Sequence, residues 1–228
     1  LYPGKEYTGR LFVEQIGFLP YDFQAYGHAG DEVESAFYFA DADDFKASVP
    51  VRARRSNKGN YGKPLIIAGS KDMTGAAFMS GLAAYRTGAG VVTVLTHESI
   101  DEYIKSVLPE AIVKSYGAQP EAVLENALAA ASVIVLGPGL SVGELSKRIV
   151  KYVLKNAQVP VVADADALNI MAENTDEWLG EKSERNREGL LVITPHVGEM
   201  SRLTGRTVNE LAKDIPYYAL EFAKHYGV

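Results

Sequence analysis

The 228-residue sequence has no cysteine, which excludes disulfides and thiolate metal sites and fits a reducing compartment. It has no excess of positive charge. Its 23 Lys and Arg face 29 Asp and Glu, a formal charge of -6, so a general nucleic-acid-binding surface is not expected. The cluster Arg52, Arg54, Arg55 and Lys58 is too short to reverse that balance and reads as a solvated linker. Long apolar runs are missing too: the longest, around residues 127–136, is broken by Ser132 and falls far short of a membrane span. No basic segment followed by an apolar core opens the sequence, which starts at Leu1 rather than Met and so constrains localisation only weakly. What is present is 47% hydrophobic residues, 23% charged residues and 21 glycines, the composition of a soluble globular protein with room for one sizeable α/β core. Neither a membrane nor a nucleic acid is expected as partner, and a cytoplasmic location is.

The pattern along the chain changes near Arg54. Before it, residues 10–16 are strand-like between Gly9 and Gly17, and residues 22–53 lack sustained periodicity, reading as an irregular connector with one short strand. After it, short β-branched runs alternate with helical segments, the signature of a mostly parallel sheet covered by helices. Strands are expected at 65–68, 91–95, 132–136, 159–163 and 190–194. A helix is expected over 75–87 with Thr74 as N-cap, and another is expected to begin at Pro120. Ser141 and Glu144 have the spacing of a capping box before a helix whose Leu145, Ile149, Val150, Val153 and Leu154 share one face. Thr207 and Glu210 repeat that spacing, and Pro216 divides the last segment into a kinked helix or two successive ones.

In open α/β sheets ligands bind beyond the carboxyl ends of the strands, so the residues leaving each strand matter most. The segment from Gly69 to Ala77 offers small residues and a helix N-terminus to an anion, or simply a tight strand-to-helix turn. Gly137, Pro138 and Gly139 leave a flat ligand unobstructed. Asp164 and Asp166 would project to one side if extended geometry persists, suited to Mg²⁺ or a ribose, with capping of the next helix as the alternative. His196 and Glu199, three apart, would share a helix face behind Pro195. Each signal alone is weak; their recurrence at one sheet edge points to a ligand crevice.

At these same residues the sequence resembles the dehydratase domain of the NAD(P)H-hydrate repair enzymes, members of the ribokinase-like superfamily. The resemblance runs through Asn57 to Gly59, Ala68 to Ser70, Gly75 to Ala77, Arg86 to Val91, Leu108 to Glu110, Gly137 to Leu140, Asp164 to Asn169 and Thr194 to Met200. It implies a ribokinase-like α/β fold, a mostly parallel open sheet with helices on both faces, incomplete at the C-terminus. It divides the chain into an epimerase-like remnant at 1–24, a connector at 25–54 and the dehydratase domain at 55–228. The implied reaction is ADP- or ATP-driven, Mg²⁺-assisted dehydration of the S-form of hydrated NADH or NADPH by a homo-oligomeric enzyme. Hydrate contacts fall on Ala76, Gly137, Gly139, His196, Val197, Gly198, Glu199, Met200, Ser201 and Arg202, and a phosphate or metal environment on Asp164, Asp166 and Asn169. Asn57 stands where the family commonly has His. The family's Gly-x-Gly-Asp segment, which carries the base, does not occur before Val228, so a truncated chain with little or no activity of its own is expected. A vitamin-precursor kinase of the same superfamily and a non-catalytic nucleotide-binding module are the alternatives.

Overall fold

The computed structural model describes residues 42–49, 51–186 and 190–228. The chain divides into two units, Leu1–Ala53 and Arg54–Val228. The described part of the first holds a helix, α1 (Ala42–Ser48), with Asp43 and Asp44 in its first turn and Lys46 in its last, an order that suits the helix dipole. A helix thus stands at 42–48 where irregular chain was expected, because residues 42–47 are exposed and carry no apolar period; the rest of the expected connector up to residue 41 lies outside the described residues. The strand expected at 10–16 lies outside the described residues.

The second unit is built on six parallel strands: β1 (Pro64–Ile67), β2 (Thr93–His97), β3 (Ile112–Tyr116), β4 (Val133–Leu136), β5 (Val161–Ala163) and β6 (Leu191–Ile193). Their order is β3-β2-β1-β4-β5-β6. Crossovers carry α2 (Thr74–Arg86), α3 (Asp101–Val107), α4 (Glu121–Ala130), α5 (Glu144–Asn156), α6 (Asp166–Met171) and α7 (Thr175–Leu179). After β6 come α8 (Val197–Thr204), α9 (Val208–Leu211) and α10 (Ile215–Tyr226).

Both faces of the sheet are covered, so its central strands read as continuous apolar runs rather than alternating ones. Leu65 and Ile67 join Ile134, Leu136, Leu124 of α4 and Ile149 of α5 in the larger core. Ile66 turns the other way, to Val94, Ala77 of α2 and Ile104 of α3. On α5 the expected stripe of Ile149, Val150, Val153 and Leu154 is buried.

Several boundaries differ from expectation for identifiable reasons. β2 starts two residues late because Gly90 and Val91 donate to the carbonyls of Tyr61 and Gly62 in the turn before β1, at 2.9 and 3.3 Å, and so are committed elsewhere. The strand β3 and helix α3 carry no clear sequence signal: β3 is an edge strand with a mixed, half-exposed pattern. Met73, not Thr74, is the N-cap of α2, and it makes no side-chain cap. The capping box of Ser141 and Glu144 does not form; Gly143 precedes α5 without a side-chain cap. Pro120 sits one place ahead of α4, as its N-cap.

The box of Thr207 and Glu210 does form, and Pro216 opens α10 as a separate helix. Glu210 accepts from both the backbone N–H and the hydroxyl of Thr207 at 2.8 Å. Those two bonds, the backbone one first, hold its carboxyl below the ordinary carboxylate range. Asp101 beside Lys105, Glu121 beside Arg148 and Glu184 beside Lys155 are lowered likewise by their side-chain partners. A carboxylate lowered by folding adds stability above its unfolded pKa and loses it as pH falls through the folded one. Thermal melting should therefore be flat through neutral pH and drop in acid below about pH 4, and Glu210→Gln should lose part of that acid dependence.

Candidate functional site

From β1 the sheet grows through β2 and β3 in one direction, and from β4 through β5 and β6 in the other. Loops leaving β1 and β4 therefore part at the carboxyl edge, where open α/β sheets take their ligands. The two loops touch at their roots: Gly137 donates to the carbonyl of Ile67 at 3.1 Å and Gly69 to that of Pro138 at 2.9 Å. Farther out, Gly139 lies so close to α2 that a Cβ there would sit 2.7 Å from Ala76 Cβ. The structure thus brings Ala76 and Gly139 together. Gly137, at φ 120, packs against the β5 loop, where a Cβ would be 2.1 Å from the carbonyl oxygen of Asp164.

The β5 loop departs from expectation. Extended geometry ends at Ala163, Ala165 turns at φ 51, and Asp166 enters α6, so Asp164 and Asp166 are not alternate strand residues. Neither caps α6, whose N-cap Ala165 has no side-chain bond. Instead Asp166 Oδ2 accepts the backbone N–H of Ser141 at 2.8 Å, and Oδ1 accepts Asn169 Nδ2 at 3.2 Å. Asn169 Oδ1 in turn accepts Arg202 Nε at 3.1 Å. Ser141, whose Ser-x-x-Glu spacing suggested a helix cap, is committed to Asp166 through its backbone and to Ser146 through its hydroxyl. Among the described residues Ser141 and Ala165 are the non-glycine positions with positive φ, at 65° and 51°. Such conformations cost of order 1–3 kcal/mol each and persist where surrounding structure over-determines them.

Each oxygen of Asp166 accepts one hydrogen bond, and among the described residues no three His, Asp or Glu side chains are grouped to hold a metal, so side chains alone do not cage Mg²⁺ here.

After β6, His196 is the N-cap of α8 and not a residue of its face. Its Nδ1 accepts from the N–H groups of Gly198 at 2.9 Å and Glu199 at 3.3 Å, while the buried Glu199 carboxylate takes the N–H of His196 at 2.9 Å. With Nδ1 accepting, the neutral ring carries its proton on Nε2, 3.5 Å from Glu199 Oε1, and the side chain is 67% exposed. A Cβ at Gly198 would lie 2.8 Å from His196 Cε1 and 3.9 Å from Arg202 Nη1, so imidazole and guanidinium both border that glycine. The rest of the expected stretch is divided. Met200 is buried in the larger core with Val197 packed on it, and the Ser201 hydroxyl donates to the carbonyl of Arg206 at 2.6 Å.

Residues 64–228 match the family described as NAD(P)H-hydrate dehydratase. The chain belongs to that family. It is 40% identical over 180 residues to the ADP-dependent (S)-NAD(P)H-hydrate dehydratase of Bacillus subtilis, covering 78% of this chain and 60% of that one. A bifunctional NAD(P)H-hydrate repair enzyme of Moorella thermoacetica is 33% identical over 232 residues, covering 98% of this chain and 41% of that one. The crystal structure of the B. subtilis ADP/ATP-dependent dehydratase, co-crystallized with ATP and Mg²⁺, superposes with a TM-score of 0.66 at 37% identity, over 82% of this chain and 62% of that one. The fold is ribokinase-like. The chain spans about half the length of the curated relatives it matches. Among the described residues no helix is long and apolar enough to cross a membrane.

Proposed function

We propose that the chain supplies the hydrate-binding side of an enzyme that uses ADP or ATP to dehydrate the S-form of hydrated NADH or NADPH, a metabolite repair. The observation that carries this reading is the meeting of Ala76 and Gly139 at the switch point of a dehydratase-family domain. With one methyl and one hydrogen facing each other there, backbone and ring can approach closely. The nucleotide supplies the phosphoryl group that turns the hydrate's hydroxyl into a leaving group, and Mg²⁺ arrives with its phosphates. The chain's own part is to bind and orient: the crevice takes the hydrated ring, and the start of α8, with His196 and Arg202, borders it with polar groups. Self-association and a cytoplasmic location belong to the same reading.

Calorimetric titration with the separated S and R hydrates tests it, followed by addition of ADP or ATP with Mg²⁺ and measurement of reduced-cofactor absorbance. Preference for the S hydrate is expected, with absorbance recovered in a chain extended to the length of its relatives. Equal indifference to both hydrates, alongside phosphorylation of a vitamin alcohol, sinks the reading.

A further inference from the structure

Two backbone positions of unfavourable conformation flank the contact that holds Asp166 in place. Ser141, at φ 65, is the donor to Asp166, and Ala165, at φ 51, immediately precedes it. Strain of this kind collects where a function needs a fixed geometry. The chain of bonds runs from the β4 loop through Asp166 and Asn169 and ends on Nε of Arg202. Arg202 is exposed, and among the described residues it forms no ion pair. Its Nε is anchored and its Nη1 borders Gly198 in the first turn of α8, opposite the His196 ring. An arginine held by Nε keeps its terminal nitrogens as a planar fork suited to two oxygens of one phosphate.

We propose that Asp166 and Asn169 are positioning residues that fix Arg202 as a phosphate fork for the dinucleotide hydrate. This rests on the functional reading above. The Ser141 N–H fixes Asp166, Asp166 orients the Asn169 amide so that its oxygen faces Arg202, and Asn169 removes the rotation that a solvent-exposed guanidinium would otherwise lose on binding. The relay also ties the β4 loop to α8, two of the segments that border the crevice, so Arg202 is set relative to Gly139 rather than only to its own helix.

The test is titration of the full chain with three probes: S-NADPH hydrate, S-NADH hydrate, and the S hydrate of reduced nicotinamide riboside, which has no phosphate. Arg202→Ala should weaken both dinucleotide hydrates, or the NADPH hydrate alone, by about tenfold, and Asn169→Ala by several-fold, with the riboside hydrate unchanged. Equal loss for both dinucleotides assigns the pyrophosphate; loss confined to the NADPH hydrate assigns its 2′-phosphate. Because Asn169 acts through Arg202, the double variant should bind no more weakly than Arg202→Ala. Additive losses, or equal loss for the riboside hydrate, overturn the relay. Arg202→Lys, which keeps the charge and lacks Nε, carries the test if circular dichroism shows Asn169→Ala misfolded: it should also weaken the dinucleotides, and full affinity overturns the proposal. A wild-type chain that binds none of the three probes refutes the functional reading and the relay with it, whereas binding insensitive to all the variants refutes the relay alone.

Discussion

Gly137→Ala should lower the stability of the chain by on the order of 3 kcal/mol, a fall of roughly 10 °C in melting temperature for a domain of this size. Two costs add. At φ 120 an L side chain is strained wherever it points, and the new Cβ would meet Asp164 O at 2.1 Å, Ala167 Cβ at 2.6 Å and Ala167 N at 2.8 Å. Two of those three atoms are backbone, so no rotamer change relieves the clash. Nor can the β5 loop retreat freely, since Asp166 is tied to Ser141 and Ala165 is already in an unfavourable conformation. Gly143, in the same loop, would have nothing within 4 Å of an added methyl carbon and has an ordinary φ of −72°, so Gly143→Ala is the matched control and should be close to neutral. Equal melting temperatures for the two variants would show that the β4 and β5 loops are not docked as described.

Gly139→Val should act on binding, weakening the S hydrate by on the order of a hundredfold. At φ 65 a β-branched side chain is strongly disfavoured, and the first carbon of the valine would already lie 2.7 Å from Ala76 Cβ, 2.9 Å from Met73 Cβ and 3.0 Å from Met73 O. The start of α2 must move away from the β4 loop, and a shift of about 1 Å at that seam misplaces a bound ring. Titration with the S hydrate, paired with a melting curve, separates this from unfolding: the variant should stay folded and lose affinity. Retained affinity in a folded variant would remove Ala76 and Gly139 from the binding surface.

The sequence is most legible where burial dictates residue type. Parallel strands covered on both faces must be apolar throughout, so Leu65 to Ile67 and Val133 to Leu136 announce themselves. β3 does not, because an edge strand with Lys114 and Ser115 at its middle has no such demand on it. The glycines of the crevice are readable because close approach leaves no other residue possible. Polar roles are less so. Serine three before glutamate is a sound local signal, and at Ser141 it fails because a carboxylate 25 residues away claims the backbone N–H. His196 hides its role for the opposite reason: histidine is not among the favoured N-caps, yet its Nδ1 does what an aspartate oxygen would. The relay from Ser141 to Arg202 joins three segments, and no single window of sequence contains it.

The order of the strands has a consequence for synthesis. β1 is made first but lies at the centre, and its second neighbour, β4, is separated from it by a span like the 69 residues between Lys63 and Ser132, whose bond closes the base of that pairing. At ordinary translation rates those residues take on the order of ten seconds to emerge. During that time β1, β2 and β3 can assemble as a half-sheet while one edge of β1, with its buried-to-be Leu65 and Ile67, has no strand beside it. The edge that later borders the ligand crevice is thus the apolar one of the half-sheet's two open pairing surfaces, and the place where a chaperone or a second nascent chain would find it.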